Sequence, residues 1–171
     1  MLIHIKYIYT GSLFSFDMKR FIAILFFTLC NACTTMQESS NTHAFRLKPG
    51  QDLLKSIQEY VVQHHIEAGW VVSSVGSLTD YHIRFANQET GVKGSGHFEI
   101  LSLNGTVSIN GSHLHITIAD STGKTIGGHL LEGCTVYTTA EMVIQTSSKH
   151  VFERAVDGST PWKELQIKTK E

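Results

Sequence analysis

Residues 111–130, Gly-Ser-His-Leu-His-Ile-Thr-Ile-Ala-Asp-Ser-Thr-Gly-Lys-Thr-Ile-Gly-Gly-His-Leu, constrain the fold of this chain more than any other stretch. From 112 to 119 the residues alternate, with Leu114, Ile116 and Ile118 on one face and His113, His115 and Thr117 on the other. That period of two belongs to a half-buried strand. A three-residue loop of Ser121, Thr122 and Gly123, closed by a left-handed glycine, sets Asp120 against Lys124 and His115 against His129. The same register pairs Ile118 with Ile126 and Leu114 with Leu130, so the apolar residues share a face. A four-residue loop would pair Leu114 with His129 instead, and a one-residue slip flips a whole strand. The three-residue loop is therefore expected, with Gly127 and Gly128 leaving room above the backbone.

Three imidazoles on adjacent strands form a facial donor set for a divalent ion. Zinc takes nitrogen ligands at about 2.0–2.1 Å, and three protein ligands with one open position is the arrangement of catalytic sites. His113, His115 and His129 are accordingly the candidate metal ligands, with zinc the expected ion and a small molecule the expected occupant of the open position. The competing reading is three surface or hydrogen-bonded strand histidines, since an H-x-H pair by itself is often no more than that.

A chain of 171 residues suits one domain with a single core. Its formal net charge of −1, with 14 Lys and Arg spread along the chain, gives no electrostatic footprint for a polyanion. The other histidines, such as His43, His64, His82 and His150, show no spacing that suggests a site.

Met18-Lys19-Arg20 precedes a ten-residue apolar run, 21–30, which is the anatomy of a secretory signal and too short to span a bilayer at about 20 residues. The expectation is a start at Met18, export to a bacterial cell envelope, and either lipidation at Cys33 or cleavage after Ala32. Residues 1–42 then comprise an extension, the signal segment and a polar linker, 43–150 the domain, and 151–171 a short strand with a polar tail. Within the domain, 43–48 reads as a strand, and 52–66 as a helix with Leu53, Leu54, Ile57, Tyr60, Val61 and His64 at helical spacing, ended by Gly69. Strands follow at 70–75 and 81–85, separated by Gly76-Ser77, and a loop at 87–96. A strand at 97–103 turns at Asn104-Gly105 into 106–109, and apolar strands at 131–138 and 141–145 complete the set. One main helix serving a mostly antiparallel sheet makes the fold class α+β.

Gly96-His-Phe-Glu-Ile-Leu-Ser-Leu103, Gly111-Ser-His-Leu-His115, Gly127-Gly-His-Leu-Leu-Glu-Gly133 and Thr138-Thr-Ala-Glu141, in this order, resemble the plants-and-prokaryotes conserved domain family over residues 43–147. The resemblance implies an α+β domain that forms a homotrimer, with a metal at His113, His115 and His129. It also implies a fold shared with acetolactate decarboxylase, a zinc enzyme with three histidine ligands. Plant members carry AT-hook segments for the minor groove and an arginine where this chain has His97. No Arg-Gly-Arg-Pro core occurs here, so nucleic acid is not the expected partner. A DNA-binding member of the family and a metal-dependent lyase or hydrolase are the alternatives to an exported metal-binding domain of unassigned activity. Glu141 is the candidate proton-handling carboxylate, with Glu99 as the alternative, and a strand-end surface acid is the competing reading of Glu141. Cys134, the single thiol of the domain, reads as a small core residue.

Overall fold

The structure, a computed structural model, describes residues 40–171. Residues 1–39, which contain the Met18 start, the apolar run and Cys33 of the export reading, lie outside the described residues. The domain is a curled antiparallel sheet with one helix packed against it, assembled as β1 (Ser40–Leu47), α1 (Leu53–Gln63), β2 (Gly69–Arg84), β3 (Val92–Val107), β4 (His113–Ala119), β5 (Thr125–Leu130), β6 (Thr135–Ser147), β7 (His150–Ala155) and β8 (Glu164–Thr169). The strands of the main sheet run β1-β6-β2-β3-β4-β5, and the far end of β2 pairs again with β5 through Ile83 with Leu130 and Arg84 with His129. That second pairing brings the sheet back on itself and encloses the core.

Helix α1 begins where Asp52, in extended conformation, accepts from the Lys55 amide at 2.9 Å, a cap that satisfies one of the orphan N–H groups of the first turn. Its apolar stripe buries Leu53, Ile57 and Val61 against Leu78, Ile83, Met142 and Ile144 of the sheet. The helix is shorter than its spacing predicts. His65 adopts φ 51°, the Ile66 amide donates to the Val61 carbonyl at 3.0 Å and the His65 amide to Val62 at 3.2 Å. These two bonds form a Schellman stop three residues early, with Ile66 buried as its hydrophobic contact. Gly69 is thus the first residue of β2 and not the helix terminator.

Three expected breaks are absent. Gly76-Ser77 does not divide β2, because register shifts at 71/73, 76/78 and 78/80 absorb the irregularity inside one 16-residue strand. Asn104-Gly105 is not a hairpin turn either. Both residues lie within β3, opposite His115 and Leu114, and the turn falls at Ser108–Gly111, whose amides and carbonyls bond each other at 3.1 Å. Glycine stands at 105 because φ is +136° and a Cβ there would collide with the His113 carbonyl. Likewise β6 is continuous across the expected gap between 138 and 141, and 131–134 is connecting chain outside the strands.

The polar tail also folds. β7 and β8 form a two-stranded ribbon from Ala155 with Glu164 to His150 with Thr169. Phe152, 8% exposed, anchors it: its amide donates to the Glu67 carbonyl at 2.8 Å, and its carbonyl accepts from Ser108 Oγ at 2.9 Å and Asn110 Nδ2 at 3.1 Å. Lys170 pairs with Glu67 at the ribbon's end. Cys134 is fully buried with its sulfur accepting from the His82 amide, and burial pushes the thiol up to about 11, as befits a small core residue.

Replacing Gly105 with alanine should force both a strained φ and a clash against the neighbouring strand. We expect a loss of at least about 2 kcal/mol in urea unfolding, whereas alanine at Gly123, where φ is +82° but no atom lies near, should cost less. Equal losses at the two positions would show that the β3–β4 approach imposes no constraint.

Candidate metal centre

The β4–β5 hairpin has the register expected from its alternation. His115 faces His129, Ile118 faces Ile126, and the Asp120 amide donates to the Lys124 carbonyl at 3.0 Å across a loop in which Gly123 has φ +82°. Leu114, Ile116 and Ile118 are buried beneath, so His113, His115 and His129 project from the other face. Gly128 does more than leave room. A Cβ at this position would lie 2.5 Å from the Arg84 carbonyl oxygen, so glycine lets β5 close against β2 and carries His129 with it.

The three imidazoles converge on one point. His129 Nδ1 lies 3.0 Å from His113 Nε2 and 3.1 Å from His115 Nε2, and one nitrogen from each of the three falls within 4.8 Å of the others. Two nitrogens on one tetrahedral zinc ion stand about 3.3 Å apart. Without an ion, His129 Nδ1 has either one proton or one lone pair to share between two Nε2 atoms, so one of the two contacts goes unsatisfied in either tautomer. The donor set therefore fits a metal better than it fits a hydrogen-bonded trio. His113 and His115 are exposed and His129 is half-buried, so the free side of the set opens outward.

The surroundings are cationic. Arg154 Nη1 approaches His113 Nδ1 at 3.4 Å, longer than an N–H···N hydrogen bond, while its Nη2 donates to Thr106 Oγ1 at 2.7 Å. Arg84 faces His129 across the β2–β5 pairing. An open cleft of about 650 Å³ beside His113 and His129 includes both arginines, Trp162, Lys163 and Glu164 in its walls, and a smaller one of about 370 Å³ opens beside His113 and His115. Burial, then Arg84 and the other two histidines, lowers His129 to about 4. Burial and Arg154 also hold His113 below the ordinary histidine range. Both rings are thus neutral at pH 7, the form in which imidazole ligates a metal.

Glu141 is not brought to this cluster within one chain. It stands on β6 opposite Arg46 of β1 and Val75 of β2, and neither cleft includes it. Glu99 pairs with Ala119, at the opposite end of β4 from His113. The carboxylate that does reach the site is Glu164, which lines both clefts and favours the charged form of His113. Arg84, Arg154 and Glu164 lie between 25 and 35 positions from the nearest of the hairpin histidines in the chain, and no local spacing announces them.

The depressed histidines make stability depend on pH. Between the ordinary value near 6.5 and the folded value of about 4, the unfolded chain binds a proton at 129 that the folded chain refuses. Stability of chelator-treated protein should therefore fall as pH drops through that window, and His129→Gln should flatten the fall. Urea unfolding at pH 7 and pH 4.5 measures this, and an identical drop in the variant would contradict it.

The family model of the Plants and Prokaryotes Conserved (PCC) domain matches residues 34–148. The solved structure of a Salmonella cholerae-suis protein aligns at 37% identity and TM-score 0.77, over 78% of this chain and 97% of its own. The metal-containing protein AF0104 from Archaeoglobus fulgidus aligns at 29% identity and TM-score 0.64, over 74% of this chain and 93% of its own. The bifunctional protein GlmU of Synechococcus sp. (strain JA-3-3Ab) is 42% identical over 129 residues, 75% of this chain, and the chain spans 21% of that protein's length. With more than half its length matched by the family model, and with the curled sheet and single helix just described, this chain belongs to the plants-and-prokaryotes conserved domain family.

Proposed function

We propose that the domain is a divalent-metal centre, zinc-like in its ligand set, that holds a small molecule at the coordination position left open by His113, His115 and His129. The observation that carries this reading is the convergence of the three nitrogens around His129 Nδ1 at 3.0 and 3.1 Å. Similarity to a metal-containing archaeal protein at 29% identity supports it. A bound ion would supply a Lewis acid and an exchangeable position. The chain's own contributions are neutral imidazoles, a cleft on the open side, and Glu164 as the carboxylate placed to take or give a proton. A formal net charge of −1 lends the nucleic-acid alternative no electrostatic support.

Purified protein equilibrated with excess zinc at pH 7 and desalted should carry one equivalent of metal by elemental analysis. His115→Ala should lose that equivalent while keeping its circular dichroism, because His115 lies on the face away from the core. A wild-type protein that stays metal-free under these conditions would overturn the reading.

The reading extends to assembly as a homotrimer. Val72 and Val75 of β2 and Leu101 of the neighbouring β3 are 55%, 54% and 54% exposed, an apolar patch on a sheet that α1 covers from the other side. Light scattering at micromolar concentration should give three times the chain mass, and Val72→Glu should lower it. A monomeric wild type would refute the assembly without touching the metal centre.

A further inference from the structure

We propose that the cleft beside the histidines is a subsite for the carboxylate of a small organic acid, clamped between the guanidinium groups of Arg84 and Arg154. The inference rests on the metal-centre reading for where the rest of such a ligand points, although the clamp itself requires no ion.

Charge comes first. The walls of the 650 Å³ cleft carry Arg84, Arg154 and Lys163 against the single carboxylate of Glu164. Guanidinium groups do not shed their proton at any ordinary pH. The positive excess is permanent and calls for an anion.

Both arginines are positioned by neutral partners. Arg154 Nη2 donates to Thr106 Oγ1 at 2.7 Å, and Phe152, two residues before it, locks the ribbon to the β3–β4 turn. Arg84 Nη1 donates to the Gln88 carbonyl at 3.1 Å, and its guanidinium carbon sits 5.7 Å from the centre of the Trp162 ring. Neither arginine belongs to an ion pair of the described residues, in contrast to Lys168 with Glu153 and Lys170 with Glu67. Each therefore keeps N–H donors for a ligand while its side chain is already held, which lowers the entropic cost of binding.

Geometry then selects the ligand. Arg84 stands opposite His129 in the β2–β5 pairing, Arg154 adjoins His113, and both arginines line the one cleft. A planar carboxylate matches a guanidinium fork. Glu164 in the same walls opposes a second negative charge on the bound group, which favours a carboxylate over phosphate. An oxygen on the neighbouring carbon, as in a 2-hydroxy or 2-oxo acid, would then lie toward the imidazole nitrogens. The volume accommodates an acid of small-metabolite size with its apolar part against Trp162, a residue 61% exposed.

The test is calorimetric titration of the full chain, metal-free and zinc-equilibrated, with lactate and separately with inorganic phosphate, using tryptophan fluorescence as a second readout. Lactate should bind the zinc-equilibrated protein more tightly than phosphate does, and Arg84→Gln or Arg154→Gln should each weaken it at least about tenfold. Arg154→Lys, which keeps the charge and loses the fork, should recover only part of the loss, and unchanged circular dichroism guards against misfolding. If zinc fails to bind, the metal reading falls, while arginine-dependent lactate binding by the metal-free protein would still uphold the clamp. Lactate affinity that is indifferent to both arginines, no lactate binding in either form, or a preference for phosphate would overturn the proposal.

Discussion

The Asp120 carboxylate holds the loop on which the site depends. Its Oδ1 accepts from the Thr122 amide at 2.8 Å, the Thr122 hydroxyl at 2.6 Å and the Lys124 amide at 3.0 Å, and these bonds hold its proton affinity below the usual carboxylate range. A carboxylate that satisfies so many donors specifies a three-residue loop. The loop specifies the register, and the register decides which face His129 occupies. Slip the pairing by one residue and His129 would enter the core while an isoleucine came out. Burial of Leu114, Ile116, Ile118 and Leu130 reinforces the same choice from below.

Around that hairpin the fold does two further things. It curls the sheet until β5 meets β2, which requires glycine at 128 and delivers Arg84 to His129. It also folds the tail into a ribbon pinned by Phe152, which delivers Arg154, Trp162 and Glu164. The family model's match ends at residue 148, just before this ribbon starts at His150, so part of the cleft is built beyond the matched segment.

The electrostatics of the site pull in two directions. Burial and the two arginines keep His129 and His113 neutral, which frees nitrogen lone pairs for a metal. The same guanidinium groups repel a divalent cation at close range. Glu164 offsets part of this repulsion, and a bound anion would offset more. Metal and carboxylate are therefore expected to help each other into the site, each screening the arginines' effect on the other.

Local physics made the hairpin legible from the chain itself. Period-two alternation, one loop with a left-handed glycine and an apolar face that must stay inside were enough to align His113, His115 and His129, and helical spacing likewise revealed the stripe of α1. Asn104-Gly105 shows where such reading stops: the pair has turn chemistry, yet its glycine answers a close approach of β4 that appears only when distant strands meet. Glu141 shows the same limit, since its place within one chain, on β6 opposite Arg46 and outside both clefts, follows from strand pairing that no local pattern reveals. Arg84, Arg154 and Glu164 reached the site through sheet closure and ribbon docking. Those contacts join segments tens of residues apart, and neither periodicity nor turn preference carries information over such separations; only the tertiary packing decided them.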